Sequence, residues 1–215
     1  VRFRRKSSAE DAPAEAEGTP AEPTEGPYDA DAVPDDGLER VDLGSLLIAP
    51  AEGRELRMQV DEASGAVQAV ILAGAEGAIE LRAFAAPRNG DLWSEVRPKI
   101  AADMSQRGGT ASEREGRFGT ELQCQIQVRR PEGNGVQVSR IVGINGPRWL
   151  LRATFLGRPA IELDTDDTRQ WEHLLTTVAV QRGTGPMMVG EPLPLVLPES
   201  ARRVGPADQN RPAGA

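Results

Sequence analysis

TELQCQIQVRRPEGNGVQVSRIVGINGPRWLLRATFLG, residues 120–157, is the stretch on which the fold turns. Three apolar-rich runs, 120–128, 136–144 and 148–157, are separated by PEGNGV and NGP, both rich in turn-forming residues. The first run alternates. Leu122, Cys124, Ile126 and Val128 point one way, and Glu121, Gln123, Gln125 and Gln127 point the other. That second face is nearly all Gln, which suits water rather than a further layer. In the third run Trp149, Leu151, Ala153 and Phe155 share a core face, opposite Arg148, Leu150, Arg152 and Thr154. Three antiparallel strands in succession are expected.

The pattern extends in both directions. Upstream, LGSLLIAP (43–50), ELRMQV (55–60), AVQAVILAG (66–74) and AIELRAFAAP (78–87) read as strands, the last two joined by a glycine-flanked hairpin. Between the strand groups, Asp91 is a plausible N-cap for a helix with Leu92, Val96, Ile100 and Met104 on one face. Pro98 falls inside it, so the helix either bends or restarts there, and Gly108-Gly109 ends it. Downstream, DTDDTRQWEHLLTTVAV opens with acids that favour a helix start and carries Trp171, Leu174, Leu175 and Val178 as an apolar stripe. MMVGEPLPLVLP (187–198) is punctuated by Pro, so it is an edge strand or an extended strap. The expected fold is α+β: an antiparallel β-sheet of about six to eight strands with two main helices packed on it.

Composition sets the boundaries. Residues 7–37 hold ten Asp or Glu, no Lys or Arg, and almost no large apolar side chains. Such a segment buries too little surface to offset its ordering entropy. Residues 1–37 are therefore expected to be a disordered arm with a basic tip, RFRRK, at 2–6. Residues 38–198 form a single domain, and 199–215 a flexible tail. The body has 18 basic and 21 acidic residues, a near balance that argues against a nucleic-acid-gripping surface. Aromatic residues make up 4% of the chain, too few for a base-stacking platform. Only Lys6 and Lys99 are lysines, so Arg is the ordinary cation of this chain.

Chemistry-bearing groups are sparse. Cys124 is the only cysteine, so neither an intrachain disulfide nor a cysteine zinc cluster is available, and a reducing cytoplasm fits. Its inward position makes it a small buried hydrophobe. His173, the only histidine, flanks the apolar stripe of its helix. GAEG and GRFG lack the Lys and setting of a phosphate loop, and no cofactor is implied. Arg148 and Arg152 remain as binding candidates, roughly 13 Å apart end to end along a strand. Guanidinium groups fork onto carboxylates and phosphates, so the pair suits an elongated anionic ligand or an acidic partner segment, with Trp93 at the pocket wall. The same positions also suit cross-strand ion pairs.

Several stretches together carry a family resemblance: LWSEVRPKIAADMSQRGG (92–109), EGRFGTEL (115–122), GINGPRWLLRATFLG (143–157) and GTGPMMVGEPLPLVLP (183–198). With them the chain resembles an actinobacterial family known as domain of unknown function 3710, over roughly residues 38–198. That family brings no activity and no catalytic residues. The element order is also similar to the PsbP-like α/β/α sandwich, which implies adaptor or assembly roles by analogy of fold. The expected function is a non-enzymatic adaptor or protein-binding module with a protein partner. The alternative is a binder of, or an enzyme acting on, an anionic small molecule such as a nucleotide. A weaker alternative is nucleic-acid association through the basic tip.

Overall fold

A computed structural model describes residues 25–130 and 133–198. Residues 1–24 of the expected arm, Pro131 and Glu132 of the PEGNGV turn, and the tail 199–215 lie outside the described residues. Seven strands form one antiparallel sheet: β4 (Glu55–Val60), β5 (Val67–Ala73), β6 (Gly77–Ala85), β7 (Thr110–Gly116), β8 (Gly119–Arg130), β9 (Gly133–Gly146) and β10 (Trp149–Gly157). Their spatial order is β4-β5-β6-β10-β9-β8-β7. Residues 120–157 thus supply β8, β9 and β10, and β10 pairs along its whole length with β6.

A second, four-stranded sheet has the order β1-β11-β3-β2, from β1 (Tyr28–Asp29), β2 (Val41–Asp42), β3 (Leu46–Ile48) and β11 (Ala179–Val180). Three helices complete the fold: α1 (Leu92–Gln106), the single-turn α2 (Arg158–Ile161) and α3 (Asp166–Thr176).

Strand alternation gives the large sheet two apolar faces, and each has its own cover. On one, Trp149, Leu151, Ala153 and Phe155 join Trp171 and Leu175 of α3 and Leu43, Leu46, Ile48 and Val180 around the small sheet. On the other, Leu122, Cys124, Ile141 and Leu150 pack against Leu92, Trp93 and Met104 of α1. The two main helices therefore lie on opposite sides of the sheet, and the fold is α+β as the pattern requires. Asp91 caps α1, accepting from the Ser94 backbone N–H at 3.0 Å. The helix runs on through Pro98, which is exposed, so the break considered at that position does not occur.

Three expectations need correction. First, residues 25–37 belong to the fold, not to a disordered arm. Tyr28 donates to the Val178 carbonyl at 2.9 Å, β1 runs parallel to β11, and the Trp149 indole donates to Asp29 at 3.0 Å. Composition missed this because two paired residues and one capping carboxylate need no apolar run. Second, the polar face of β8 is turned to water only in its second half, where Gln125 and Gln127 are exposed; the first half is covered. Glu121 is fully buried, and Gln123 donates to the Ala160 carbonyl at 2.7 Å beneath α2. Third, β7 has no counterpart among the expected strands. Its sequence, TASEREG, offers no apolar alternation because it is an edge strand with mostly exposed side chains.

The segment 187–198 is a strap. It does not enter the sheet order, but Leu193 donates to Ala83 and Ala85 donates to Glu191, so it lies along the end of β6 where β5 has diverged.

Candidate functional site

The two arginines read as a pair do not share a strand. Pro147 and Arg148 form the two-residue turn between β9 and β10, and Arg148 adopts φ 63°, the left-handed region. Pro147 fixes the first turn position, and Arg148 takes the second with positive φ, a place that in such turns usually goes to Gly or Asn. Arg148 is half-buried, and its carbonyl accepts from Ala86 at 2.9 Å. It therefore sits in the turn, outside the row of β10 side chains to which Arg152 belongs.

Arg152 sits in the middle of β10, directly opposite Arg82 on β6 and Gly143 on β9. α1 packs on β7, β8 and β9. Beyond it, the same face continues over β10, β6, β5 and β4 as Arg152, Thr154, Glu80, Arg82, Ile71 and Arg57, all of them partly exposed. This is an open half-sheet carrying three guanidinium groups. Two are engaged locally: Arg82 with Glu80 at 2.8 Å and Arg57 with Glu55 at 2.6 Å. Arg152 forms no ion pair among the described residues, and its Nε is buried without a hydrogen-bond partner. Its guanidinium lies over the Phe84 ring at 5.3 Å. Burial, followed by the like charge of Arg82, lowers the Arg152 pKa, and Glu80 opposes them.

Trp93 borders this half-sheet but does not open into it. It is 4% exposed, donates through its indole N–H to the Thr120 carbonyl at 2.6 Å, and lies flat on Gly143. A Cβ at Gly143 would collide with the indole, so glycine is what admits the ring. Trp93 is thus core of the α1 side, and it marks the line where covered sheet ends and Arg152 begins.

A buried ionic triad that the sequence does not announce lies between β8, β9 and α3. Arg140 on β9 binds Glu121 on β8 through Nε and Glu172 on α3 through Nη2, the latter at 2.5 Å, and lies over Phe155 at 4.9 Å. Burial pulls its pKa down, but the hydrogen bonds and charges of both carboxylates outweigh that and raise it. Arg140 Nη1 is left without a partner. The only hint in the sequence is that Glu121 and Arg140 are charged residues on successive strands; Arg140 lies opposite Gln123 and reaches Glu121 diagonally, a register that the sequence does not fix.

Two grooves flank the sheet. One of about 400 Å³ is lined by Arg54, Arg169, His173 and Leu174 among others, with Arg54 stacked on Trp171 at 3.9 Å. The other, of about 410 Å³, lies between residues 25–34 and the β9–β10 turn and includes Tyr28, Asp29, Pro147 and Trp149. Among the described residues no cluster of His, Cys, Asp and Glu is arranged to hold a metal ion, and no helix is long and apolar enough to cross a membrane. Burial raises the Cys124 thiol pKa.

A family model described as protein of unknown function (DUF3710) matches residues 26–204, including the last part, 26–37, of the segment that composition assigns to the arm. No curated protein matches the chain. Among solved structures, the solution structure of cyanobacterial PsbP (CyanoP) from Synechocystis sp. PCC 6803 is similar at 11% identity. It covers 65% of this chain and 95% of its own, with a TM-score of 0.34.

Proposed function

The chain belongs to the family of proteins of unknown function DUF3710, and from that premise, which names no activity, we propose that it is a protein-binding module. Its open half-sheet receives an acidic segment of a partner, and Arg152 is the anchor. The observation that carries this reading is Arg152 itself: half-buried, without a carboxylate of its own, and with an unpartnered Nε. A buried donor left unsatisfied is costly, and a partner carboxylate would satisfy it with a forked, charge-assisted contact. The flat, strand-built surface suits an extended segment better than an enclosed small molecule, because pockets for small ligands are concave. Thr154 adds a hydroxyl and Ile71 an apolar contact on the same face.

The test is an affinity capture from native lysate with the full chain, compared with Arg152→Ala and Arg148→Ala. The expected result is a stoichiometric partner lost with Arg152→Ala and kept with Arg148→Ala. A nucleotide panel in thermal-shift format runs beside it, since a ligand of the native state must raise its stability. A melting-temperature rise that disappears in Arg152→Ala, with no protein captured, replaces the partner by an anionic small molecule at the same arginine.

A further inference from the structure

The groove beside the β9–β10 turn differs from the open half-sheet in shape and in sign. Its lining includes the rings of Pro27, Tyr28, Pro34 and Pro147, with the buried Trp149 behind them. The segment that builds one side, residues 25–36, holds five carboxylates and no Lys or Arg. Glu25 is taken up by Arg117 at 2.5 Å and Asp36 by Arg40 at 2.6 Å. Asp29 holds the Trp149 indole. Asp31 and Asp35 are exposed and form no ion pair among the described residues. Aromatic faces next to carboxylates are the chemistry that receives guanidinium and ammonium groups.

The described chain begins at this groove, since Glu25 is part of its lining. Upstream, the only cations are Arg2, Arg4, Arg5 and Lys6, with Phe3 among them. Residues 7–24 separate them from Glu25. A chain of that length spans up to about 60 Å when extended, so return to its own starting point is unrestricted. Closing a loop of that length carries a cost that grows only slowly with length. We propose that the basic tip, residues 2–6, docks at this groove of its own chain, its cations facing Asp31 and Asp35, which neighbour the lining residues Ala32 and Pro34, and Phe3 meeting Tyr28 and the proline rings. Docked there, the tip is withheld from polyanions until one of them displaces it. The inference is independent of the partner-binding reading, because it uses neither Arg152 nor the open half-sheet.

The experiment compares N–H spectra by NMR for the full chain and for the full chain with Arg2→Ser, Arg4→Ser, Arg5→Ser and Lys6→Ser. At low ionic strength, the Trp149 indole and the Tyr28 and Asn145 amide signals should differ between the two, while the Trp171 indole stays in place. At about 1 M salt, where the Debye length is about 3 Å, the native signals should move onto those of the neutralised chain. Asp31→Asn with Asp35→Asn should produce the same movement at low salt without loss of fold, because both side chains are exposed. Spectra that superimpose at low salt overturn the proposal. Shifts that grow with protein concentration also overturn it, since the tip would then be entering another copy.

Discussion

Arg148 and Arg152 are four positions apart and live under different backbone rules. Arg148 holds φ 63°, where a Cβ is crowded by the neighbouring carbonyl. A non-glycine residue there is strained by about 1–2 kcal/mol. Arg148→Gly is therefore expected to stabilise the protein by up to about 1 kcal/mol, part of the relief being offset by the freer unfolded chain. Urea unfolding checks it, and a loss of stability would mean the Arg148 side chain carries a contact that outweighs its strain. Arg140 is the opposite case, a cation whose whole environment is made for it. Removing it leaves Glu121 and Glu172 facing each other in the interior without their counter-charge. Breaking a buried ion pair by deleting one partner costs about 3–5 kcal/mol, so Arg140→Ala should unfold well below the native midpoint. Adding Glu121→Gln and Glu172→Gln to it should recover part of that loss. If the triple variant is no better than Arg140→Ala alone, the charges are not the cause.

At the scale of elements, α1 shows how much local chemistry can be read ahead of the fold. Its apolar spacing and its cap were legible because they are properties of neighbouring residues. Asp91 accepts from the side chain and backbone N–H of Ser94, and Asn145 adds a third bond from β9. The Ser94 hydroxyl contributes most to holding the Asp91 carboxyl below its ordinary value of 3.8, with the Ser94 backbone, Asn145 and Arg97 adding to it against the cost of burial. A carboxylate with a lowered folded pKa gives its full stabilisation above the unfolded value and loses it as pH falls through the folded one. Asp91→Ala should cost about 1 kcal/mol at neutral pH, and the gap should narrow as the pH falls below the ordinary carboxylate range. Denaturation at neutral and strongly acidic pH measures it, and an unchanged gap would assign the cap's worth to shape alone.

What sequence did not yield at this scale was long-range. The period-two pattern of β8 tells which side chains alternate, not what α2 and α3 later lay over them, so Glu121 and Gln123 read as solvent-facing. β7 has almost no apolar period because one of its edges meets nothing. The candidate site was half legible for the same reason. Arg152 followed from strand parity, but the separation of Arg148 from it depends on the Pro147 turn, and the openness of its face depends on where α1 stops.

For the whole molecule, the boundary at which the fold begins is the sharpest disagreement between composition and structure. Residues 25–36 are acidic and nearly free of large apolar groups, yet they close the small sheet and hold the indole of Trp149, a ring that is 1% exposed. The physical reason is that the sheet supplies the apolar surface and the segment supplies only partners: one backbone donor to Val178, one carboxylate to Trp149, and Asp36 to Arg40, whose guanidinium in turn reaches the Thr177 carbonyl at 2.9 Å. Two shortened chains separate the alternatives. One starts at residue 25 and the other at residue 38, where composition places the domain edge. The second loses β1 and leaves the Trp149 N–H without its acceptor, and an orphaned buried donor costs about 1–3 kcal/mol. For a domain of this size each kilocalorie moves the midpoint by about 2–4 °C, so the chain from 38 should melt about 2–12 °C below the chain from 25. Its Trp149 indole should also lose protection from hydrogen exchange. Equal melting temperatures would show that the segment rests on the domain without supporting it, and would return the functional boundary to residue 38.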